Sequence, residues 1–338
     1  MNVAFRVDAS SNIGIGHLTR CLALSEELTR KGHDCYFLSK IENNELINKI
    51  EKNNIHYQIN SNATLLEDNK TLVKFAKEKD INWIVTDHYG INAEYIKEIK
   101  QNNFKVLSVD DNAQIHYYSD IVLNQNIGSE KLNFSAEKYT KFLLGAKYAI
   151  IRDELLIEKN KKEGNEVKKI LITLGGTDKD NFILTIIKFL KDFCKTLEFN
   201  VIVGPLNPFF DEIRNYVKEG NLKIKVIKSP KNMADIYLRS DIAVSAGGAS
   251  CYELAYFGIP NIIITVADNQ LNVASELDKQ KIGLYVGKKE EIKEKEFENK
   301  FKGLVDNNSL RKQMSQNGKK LIDGKGKERV VNFMERFD

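Results

Sequence analysis

One segment, Asn12-Ile-Gly-Ile-Gly-His17-Leu-Thr-Arg20, carries the strongest structural signal in this chain. It follows the apolar run Val3 to Val7, which predicts a β-strand, and leads into Leu18 to Leu28, whose apolar residues recur at helical spacing. Two glycines and a histidine therefore lie at a strand-to-helix turn, where backbone N–H groups can approach a ligand and the helix N-terminus favours negative charge. Because histidine exchanges a proton near neutral pH, the turn indicates acid–base chemistry on a phosphorylated or glycosylated substrate.

The same turn has a competing interpretation, a tight turn whose histidine only packs locally, and the motif alone does not separate the two. Thr19 stands where the dinucleotide fingerprint has its third glycine, which argues against binding of NAD or FAD. No Gly-Lys-Ser/Thr follows, so the turn is not a Walker A loop. We expect no cofactor.

The composition favours a protein of two domains. A length of 338 residues predicts about two domains. The 51 Lys and Arg residues against 47 Asp and Glu leave a net charge of +4, which does not indicate nucleic-acid binding. We expect no membrane span, because no apolar run is long enough, and no signal peptide before the first strand. Four scattered cysteines without metal-ligand spacing fit reduced thiols and a cytoplasmic location, and the oligomeric state stays open.

Strand-like runs alternate with amphipathic stretches, which is typical of parallel sheets with helices on both faces. The predicted strands are Val3–Val7, Cys35–Leu38, Trp83–Thr86, Lys105–Val109 and Ile121–Leu123 in the first half, and Lys169–Thr173, Phe199–Val203, Lys223–Ile227, Ile242–Ser245, Asn261–Thr265 and Leu284–Val286 in the second. The polar run Glu158 to Val167 predicts a linker between domains at residues 1–157 and 168–325. We therefore predict an α/β protein of two Rossmann-type domains whose parallel sheets face a central cleft, with ligands at the carboxyl ends of the strands.

The segment Ser245-Ala-Gly-Gly-Ala-Ser250 is a second glycine-rich strand-to-helix turn. Its backbone N–H groups and the helix dipole predict a site for a diphosphate. Glu253 lies about one turn into the following helix, where a carboxylate opposes phosphate binding unless it has another partner. The two hydroxyls of a ribose are such a partner. The competing interpretation is that Glu253 only interacts with the helix N-terminus.

A resemblance rests on five segments that span most of the chain. They are Arg6-Val-Asp8-Ala-Ser-Ser-Asn-Ile-Gly14-Ile-Gly16-His17, Asp87-His-Tyr-Gly90, Ser108-Val-Asp-Asp111, Gly175-Gly-Thr-Asp178 and Ser245 to Gln270. With these segments the chain resembles the UDP-2,4-diacetamido-2,4,6-trideoxy-β-L-altropyranose hydrolases of pseudaminic acid biosynthesis. Its second half also resembles the donor-binding half of the transferases that add N-acetylglucosamine in peptidoglycan synthesis. The resemblance implies a GT-B-like fold in which the last residues, 326–338, return to the first domain.

The resemblance also implies roles for individual residues. His17 matches the general base. We predict that Tyr89 and Asn269 contact the sugar or the attacking water. The predicted substrate-binding residues are Asp8, Asn12, Gly14, Gly16, Arg20, Gly175, Thr177, Met233, Ser245, Gly247, Gly248, Ser250, Glu253 and Gln270. Among them, Met233 is a candidate for backbone contact with uracil.

Two alternatives within the site receive less weight. His88 is a competing base, but no glycine turn precedes it. Asp178 and Asp180 form an Asp-x-Asp pair of the kind that holds Mg²⁺, yet a helix start favours carboxylates in any case, so we predict no metal.

The sequence thus predicts an enzyme that hydrolyses a small-molecule UDP-sugar at the anomeric carbon with inversion, releasing UDP and the free sugar. A GT-B glycosyltransferase that uses a UDP-sugar donor is the main alternative, and a catalytically silent nucleotide-sugar-binding protein is a second.

Overall fold

The computed structural model describes residues 1–10, 13–158, 165–230 and 232–337. The chain divides into two compact units. Unit 1 comprises Met1–Asp153 and Lys325–Asp338, and unit 2 comprises Glu154–Gly324. Among the described residues, no helix combines the length and the apolar character that crossing a membrane requires.

Unit 1 is a parallel β-sheet with helices between its strands. The strands are β1 (Asn2–Val7), β2 (Asp34–Ser39), β3 (Ile55–Gln58), β4 (Trp83–Asp87), β5 (Lys105–Val109), β6 (His116–Tyr117), β7 (Ile121–Asn124), β8 (Ser135–Ala136) and β9 (Lys141–Leu144). The helices are α1 (Gly16–Arg30), α2 (Asn44–Glu51), α3 (Leu65–Glu78) and α4 (Ala93–Gln101). Seven of the strands form one sheet in the order β3-β2-β1-β4-β5-β7-β9, and β6 pairs with β8.

The centre of this sheet is buried on both faces, as the apolar sequences of β1 and β4 predict. The two strands pair in parallel with Val7 opposite Asp87, so both end at the same edge of the sheet. β5 ends beside them, with Thr86 opposite Ser108. The residues that follow these three strands are therefore neighbours in space although they lie far apart in the sequence.

Unit 2 repeats the architecture. Its strands are β10 (Lys169–Thr173), β11 (Glu198–Val203), β12 (Ile224–Lys228), β13 (Ile242–Ala246), β14 (Asn261–Thr265) and β15 (Gly283–Lys288). Its helices are α5 (Phe182–Phe189), α6 (Phe210–Glu219), α7 (Met233–Arg239), α8 (Ser250–Phe257), α9 (Leu271–Lys279), α10 (Glu294–Asp306) and α11 (Asn308–Leu321). The six strands lie in the order β12-β11-β10-β13-β14-β15.

Both sheets share the strand order 3-2-1-4-5 that is typical of Rossmann-type domains. In each, the chain crosses from the third strand back over the first, and ligands of such sheets bind at this point, beside the carboxyl ends of the central strands. The predicted fold class, α/β with parallel sheets in two Rossmann-type domains, is confirmed.

The last helix, α12 (Gly326–Glu335), packs in unit 1 against α1. A side chain at Gly326 would meet the carbonyl oxygen of Ala149, so a glycine lets the backbones approach closely there. Phe337 places its ring edge-on against Trp83 at the start of β4, with the ring centroids 5.6 Å apart. The end of the chain thereby becomes part of the core of unit 1.

Candidate active site

The turn between β1 and α1 is held by the loop's own backbone. Gly14 donates its N–H to the carbonyl of Ser10 at 2.8 Å and has a φ of +84°, in the region that favours glycine. Helix α1 begins at the exposed Gly16, and no side chain of a described residue caps its N-terminus. The N–H groups of this first turn are thus in position to meet a ligand. Asn12, a predicted binding residue, lies outside the described residues.

His17 lies at this helix start and is paired with a carboxylate. Its Nδ1 is 2.5 Å from Oδ1 of Asp87, the last residue of β4, and the side chains are 7% and 1% exposed. Since a carboxylate only accepts hydrogen bonds, Nδ1 carries the hydrogen in the neutral ring. Nε2 is then the acceptor, and no described residue forms a hydrogen bond with it. This is the tautomer that a base acting on water needs.

Arg20 lies one helical turn further along α1 and binds two carboxylates. It donates to Asp87 through Nε at 2.5 Å and through Nη2 at 2.6 Å. It also donates to Asp111, which follows β5, through Nη1 at 2.9 Å and Nη2 at 3.0 Å. The predicted binding residue Arg20 is therefore buried among acids of the same unit, and substrate contact by its guanidinium stays a prediction.

Both carboxylates are held in the ionised form. Burial alone would raise the pKa of Asp87, but the charges of Arg20 and His17 and the hydrogen bonds from them outweigh it and hold the pKa well below its usual range. Burial would also raise the pKa of Asp111, but the charge of Arg20 and its hydrogen bonds hold that pKa below its usual range. Arg20 itself has a raised pKa despite its burial, because two carboxylates surround it. The cluster is thus charged throughout the physiological pH range.

Tyr89 lies beside this cluster. Its ring stands edge-on to that of His17 at a centroid distance of 4.5 Å, and its hydroxyl donates to Oδ2 of Asp111 at 2.9 Å. The residue is 50% exposed, so part of the ring faces solvent. The structure brings two of the three predicted catalytic residues into contact. Asp87 and Asp111 were not among the predicted site residues, although Asp87 directly follows a predicted strand and Asp111 is the second residue after another.

A second buried network lies around Asp8. Its carboxylate accepts hydrogen bonds from Arg6 through both oxygens, at 2.7 and 2.8 Å, and from the backbone N–H of Lys40 at 2.7 Å. His88 Nε2 lies 3.2 Å from Oδ2 of Asp8. All these partners belong to the protein, so direct contact between Asp8 and a substrate stays a prediction.

The same contacts decide how His88 can act. Its Nδ1 accepts the N–H of Gly90 at 2.9 Å, which leaves the hydrogen of the neutral ring on Nε2, toward Asp8. Burial lowers the pKa of His88, so the ring favours this neutral form. With both ring nitrogens engaged, His88 has no acceptor left for a water proton, unlike His17.

In unit 2, the predicted phosphate turn joins β13 to α8. Helix α8 begins at Ser250 without a side-chain cap. Gln270 packs against the turn, with its Cβ 3.1 Å from where a Cβ on Gly247 would stand and its Nε2 3.8 Å from that of Gly248. Gln270 Oε1 accepts the N–H of Val266 at 3.0 Å, which directs the amide NH₂ toward the turn. The turn therefore combines backbone and side-chain donors, as an anion site requires.

Glu253 on α8 is 6% exposed and is held by a tyrosine. Tyr237 donates its hydroxyl to Oε2 of Glu253 at 2.6 Å. Tyr237 lies on α7, whose first residue is the predicted uracil contact Met233, 7% exposed. The two predicted nucleoside residues thus belong to neighbouring helices, and Tyr237, which the sequence did not single out, joins the helices.

Other predicted residues of unit 2 have mixed surroundings. Ser245 is buried and accepts a hydrogen bond from Asn261 Nδ2 at 2.9 Å, so its hydroxyl points into the core. Gly175 is exposed with a φ of +94°, and Thr177 beside it is half-buried. Asn269 is exposed in a short 3₁₀ turn after β14. Their roles stay predictions.

The Asp-x-Asp pair has structural partners. Asp178 accepts the N–H groups of Phe182 and Ile183 at 2.8 and 3.0 Å and so caps the start of α5, while Asp180 pairs with Lys289. Among the described residues, no group of three or more His, Cys, Asp or Glu side chains is arranged to hold a metal ion.

Comparison with known proteins gives the class. Residues 169–330 match the family model described as the glycosyltransferase family 28 C-terminal domain. The solved structure of MurG from Acinetobacter baumannii matches with a TM-score of 0.73 over 99% of each chain, at 15% identity, which shows the fold alone. The chain therefore has a GT-B-like fold, and its second half is similar to the family 28 C-terminal domain.

Two curated relatives sharpen this class. The chain is 29% identical over 284 residues to the UDP-2,4-diacetamido-2,4,6-trideoxy-beta-L-altropyranose hydrolase of Campylobacter jejuni, covering 83% of this chain and 97% of that protein. It is 30% identical over 275 residues to an uncharacterised protein of Methanocaldococcus jannaschii, covering 78% of this chain and 55% of that longer protein. The predicted resemblance to this type of hydrolase is confirmed.

Proposed function

We propose that the protein hydrolyses a UDP-sugar, UDP-2,4-diacetamido-2,4,6-trideoxy-β-L-altropyranose, in pseudaminic acid biosynthesis. The observation that carries this proposal is the Asp87–His17 pair at the glycine turn, where Nδ1 is bound to a carboxylate and Nε2 is left as the acceptor. The likeness to the Campylobacter hydrolase supports the choice of substrate.

The proposed reaction is a single displacement. Nε2 of His17 removes a proton from water while the water oxygen attacks the anomeric carbon. The bond between that carbon and the diphosphate oxygen breaks, and UDP leaves with the oxygen and both bonding electrons. Attack opposite the leaving group inverts the anomeric centre. UDP is a good leaving group, so the protein's task is to position the water and stabilise the developing diphosphate charge.

UDP recognition is assigned to unit 2. The N-terminus of α8 and the amide of Gln270 are proposed to hold the diphosphate, and Glu253 the ribose hydroxyls. Met233 is proposed to contact uracil through its backbone. Asn269, after β14, and Tyr89, after β4, are each proposed to contact the sugar or the attacking water.

Replacing the base tests the reaction. We expect His17→Asn to lower kcat by about 10²- to 10⁴-fold, the usual contribution of a general base, while UDP affinity measured by calorimetry stays nearly unchanged. His88→Asn is the matched comparison and should keep most of the turnover. Substantial activity in the His17 variant would refute the assignment of the base.

The position of bond cleavage is tested separately. Hydrolysis in ¹⁸O water should place the label in the free sugar, whereas label in UDP would mean attack at phosphorus and would contradict the proposal. A glycosyltransferase is the second candidate, favoured by the family 28 type second domain. It would release little UDP from the substrate and water without an acceptor, so the same assay separates the two.

A further inference from the structure

Unit 1 contains a buried carboxylate that the proposed reaction does not use. The base His17 needs one partner, and Asp87 is that partner. Asp111 lies on the far side of Arg20 and has an 8% exposed side chain. Burying a second charged acid is unfavourable unless it is paired and hydrogen-bonded. Some interaction must therefore make a buried carboxylate at Asp111 favourable.

The reason lies in the position of Arg20. Its Nη2 is 3.0 Å from Nδ1 of His17. Nδ1 already donates to Asp87, so this contact is no hydrogen bond in the neutral ring. It places a positive charge against a ring that becomes positive when it accepts a proton. With Asp87 alone, Arg20 would cancel the one negative charge that stabilises the imidazolium.

Asp111 restores the balance of charge. It accepts from Nη1 and Nη2 of Arg20, so the guanidinium is shared between two acids. With a neutral His17, the charges of Arg20, Asp87 and Asp111 sum to minus one. When His17 takes a proton, the cluster becomes neutral. Proton transfer from water thus brings the net charge of the buried cluster from minus one to zero. Without Asp111, the same transfer would bring it from zero to plus one.

The same carboxylate holds the second predicted catalytic side chain. Oδ2 of Asp111 accepts the Tyr89 hydroxyl at 2.9 Å, and Oδ1 accepts Asn126 Nδ2 at 2.9 Å. Tyr89 is half-exposed, and the hydroxyl contact fixes the ring edge-on to His17. Asp111 therefore makes no contact with His17, yet it orients both Arg20 and Tyr89, which do.

We propose that Asp111 is a positioning residue for hydrolysis, which offsets Arg20 so that His17 can accept the proton and which orients Tyr89 at the reacting water. This rests on the proposed function. The other titratable groups near His17 are Cys21 on α1, which donates to Asp87 at 3.5 Å, and His88 after β4, which pairs with Asp8. Neither approaches Nδ1 as Arg20 does, so the effect is assigned to Arg20 and Asp111.

The decisive variant is Asp111→Asn, which keeps an acceptor oxygen for Tyr89 and removes the charge. A base must be unprotonated to act, so activity rises with pH through the proton loss of His17. Removing a nearby negative charge disfavours the imidazolium, so the midpoint of kcat/KM should move down by about one pH unit. We expect kcat to fall about tenfold or more, with KM little changed.

Three further variants separate charge from structure. Tyr89→Phe removes the hydroxyl only and should leave the pH midpoint in place. Asp110→Asn removes a neighbouring carboxylate that accepts loop N–H groups of Asn112 and Ala113, and should also leave it in place. The double variant Arg20→Gln with Asp111→Asn removes one charge of each sign, so its midpoint should return toward the wild-type value. It also keeps the numbers of buried positive and negative charges matched if Asp111→Asn alone fails to fold.

An NMR titration of histidine ring nitrogens tests the cluster without turnover. The signal of His17 is identified among five histidines by its loss in His17→Asn. We expect the Nδ1–H tautomer and a lower titration midpoint in Asp111→Asn. If the wild-type protein does not hydrolyse the substrate, the proposed function fails while this titration still tests the cluster. An unchanged midpoint in Asp111→Asn, by NMR or kinetics, overturns the inference.

Discussion

Tyr237 and Glu253 form a buried pair at the proposed ribose site. The hydroxyl of Tyr237 donates to Oε2 at 2.6 Å and fixes the orientation of the carboxylate on α8. A carboxylate held in this way loses little side-chain entropy when it binds a ribose, because its rotamer is already selected. Tyr237 thus supports Glu253 as Asp111 supports Tyr89.

This pair gives a prediction at the residue scale. We expect Glu253→Ala to weaken UDP binding about 10- to 100-fold, since a hydrogen bond to a charged group contributes about 1.5–3 kcal/mol. Tyr237→Phe should weaken UDP binding less than Glu253→Ala does, because the carboxylate of Glu253 remains. Calorimetry with UDP and with 2′-deoxy-UDP measures both. The loss in Glu253→Ala should shrink for the deoxy ligand, and equal affinities for UDP before and after the change would remove Glu253 from the ribose site.

Single residues of the site were predicted from the sequence as far as local chemistry allows. His17, Gly14 and Glu253 were proposed because a glycine turn or a helix start lies next to them in the chain. Asp87 and Asp111 were not proposed as site residues, because nothing near them in the sequence indicates a distant partner. His17, for example, lies 70 residues before Asp87 in the chain. Their identity in the site depends on the register of β4 and β5 beside β1.

At the scale of elements, the start of α1 decides what the first turn can bind. Gly14 and Gly16 lie on either side of Ile15, and a Cβ at either position would contact none of the described residues within 4 Å. Only Gly14 has a positive φ. The two glycines therefore serve different purposes, one for backbone conformation and the other for open access to the helix N-terminus.

The two positions provide a matched pair of variants. We expect Gly14→Ala to lower the free energy of unfolding by about 1–2 kcal/mol, the cost of the left-handed conformation for a residue with a Cβ. Gly16→Ala should be neutral or stabilising, because alanine favours helix. If the substrate approaches this backbone, Gly16→Ala still lowers kcat/KM. Urea unfolding and steady-state kinetics measure the two effects. An unaltered free energy of unfolding in Gly14→Ala would contradict the claim that position 14 requires a glycine conformation.

The strands show where element prediction from sequence ends. The buried strands were predicted close to their observed bounds, because a short continuous apolar run between polar segments is typical of a strand buried on both faces. β3 (Ile55–Gln58) and β9 (Lys141–Leu144) at the two edges of the first sheet were missed. Most of their residues are exposed or half-buried. β3 contains no apolar run, and the apolar run of β9, Phe142 to Leu144, is only three residues long. Only pairing with a neighbouring strand makes them strands.

At the scale of the whole molecule, α12 completes unit 1. Val330, Val331 and Met334 are fully buried, and Lys31 pairs with Glu335 at 2.6 Å. Phe337 adds the ring contact to Trp83, the one tryptophan of the chain. A segment that is last in the sequence thereby stabilises the domain that is first.

Deleting residues 325–338 tests this dependence. Loss of three buried apolar side chains should lower the stability of unit 1 by about 5 kcal/mol or more, a large share of a typical total. The emission of Trp83 should shift to longer wavelength as its cover is lost. Phe337→Ala should give a smaller shift, and UDP affinity, assigned to unit 2, should persist. Unchanged tryptophan emission in the deletion variant would rule out this role for α12.

The sequence by itself determined the α/β class, the central strands of both sheets and the two glycine turns, and it led to the proposal of His17 as the base, because each depends on residues adjacent in the chain. Tertiary structure alone decided which carboxylates meet His17, that both nitrogens of His88 are engaged, and that Tyr237 holds Glu253. These facts follow from strand register and helix packing, which bring together side chains whose separation in the sequence carries no signal of contact.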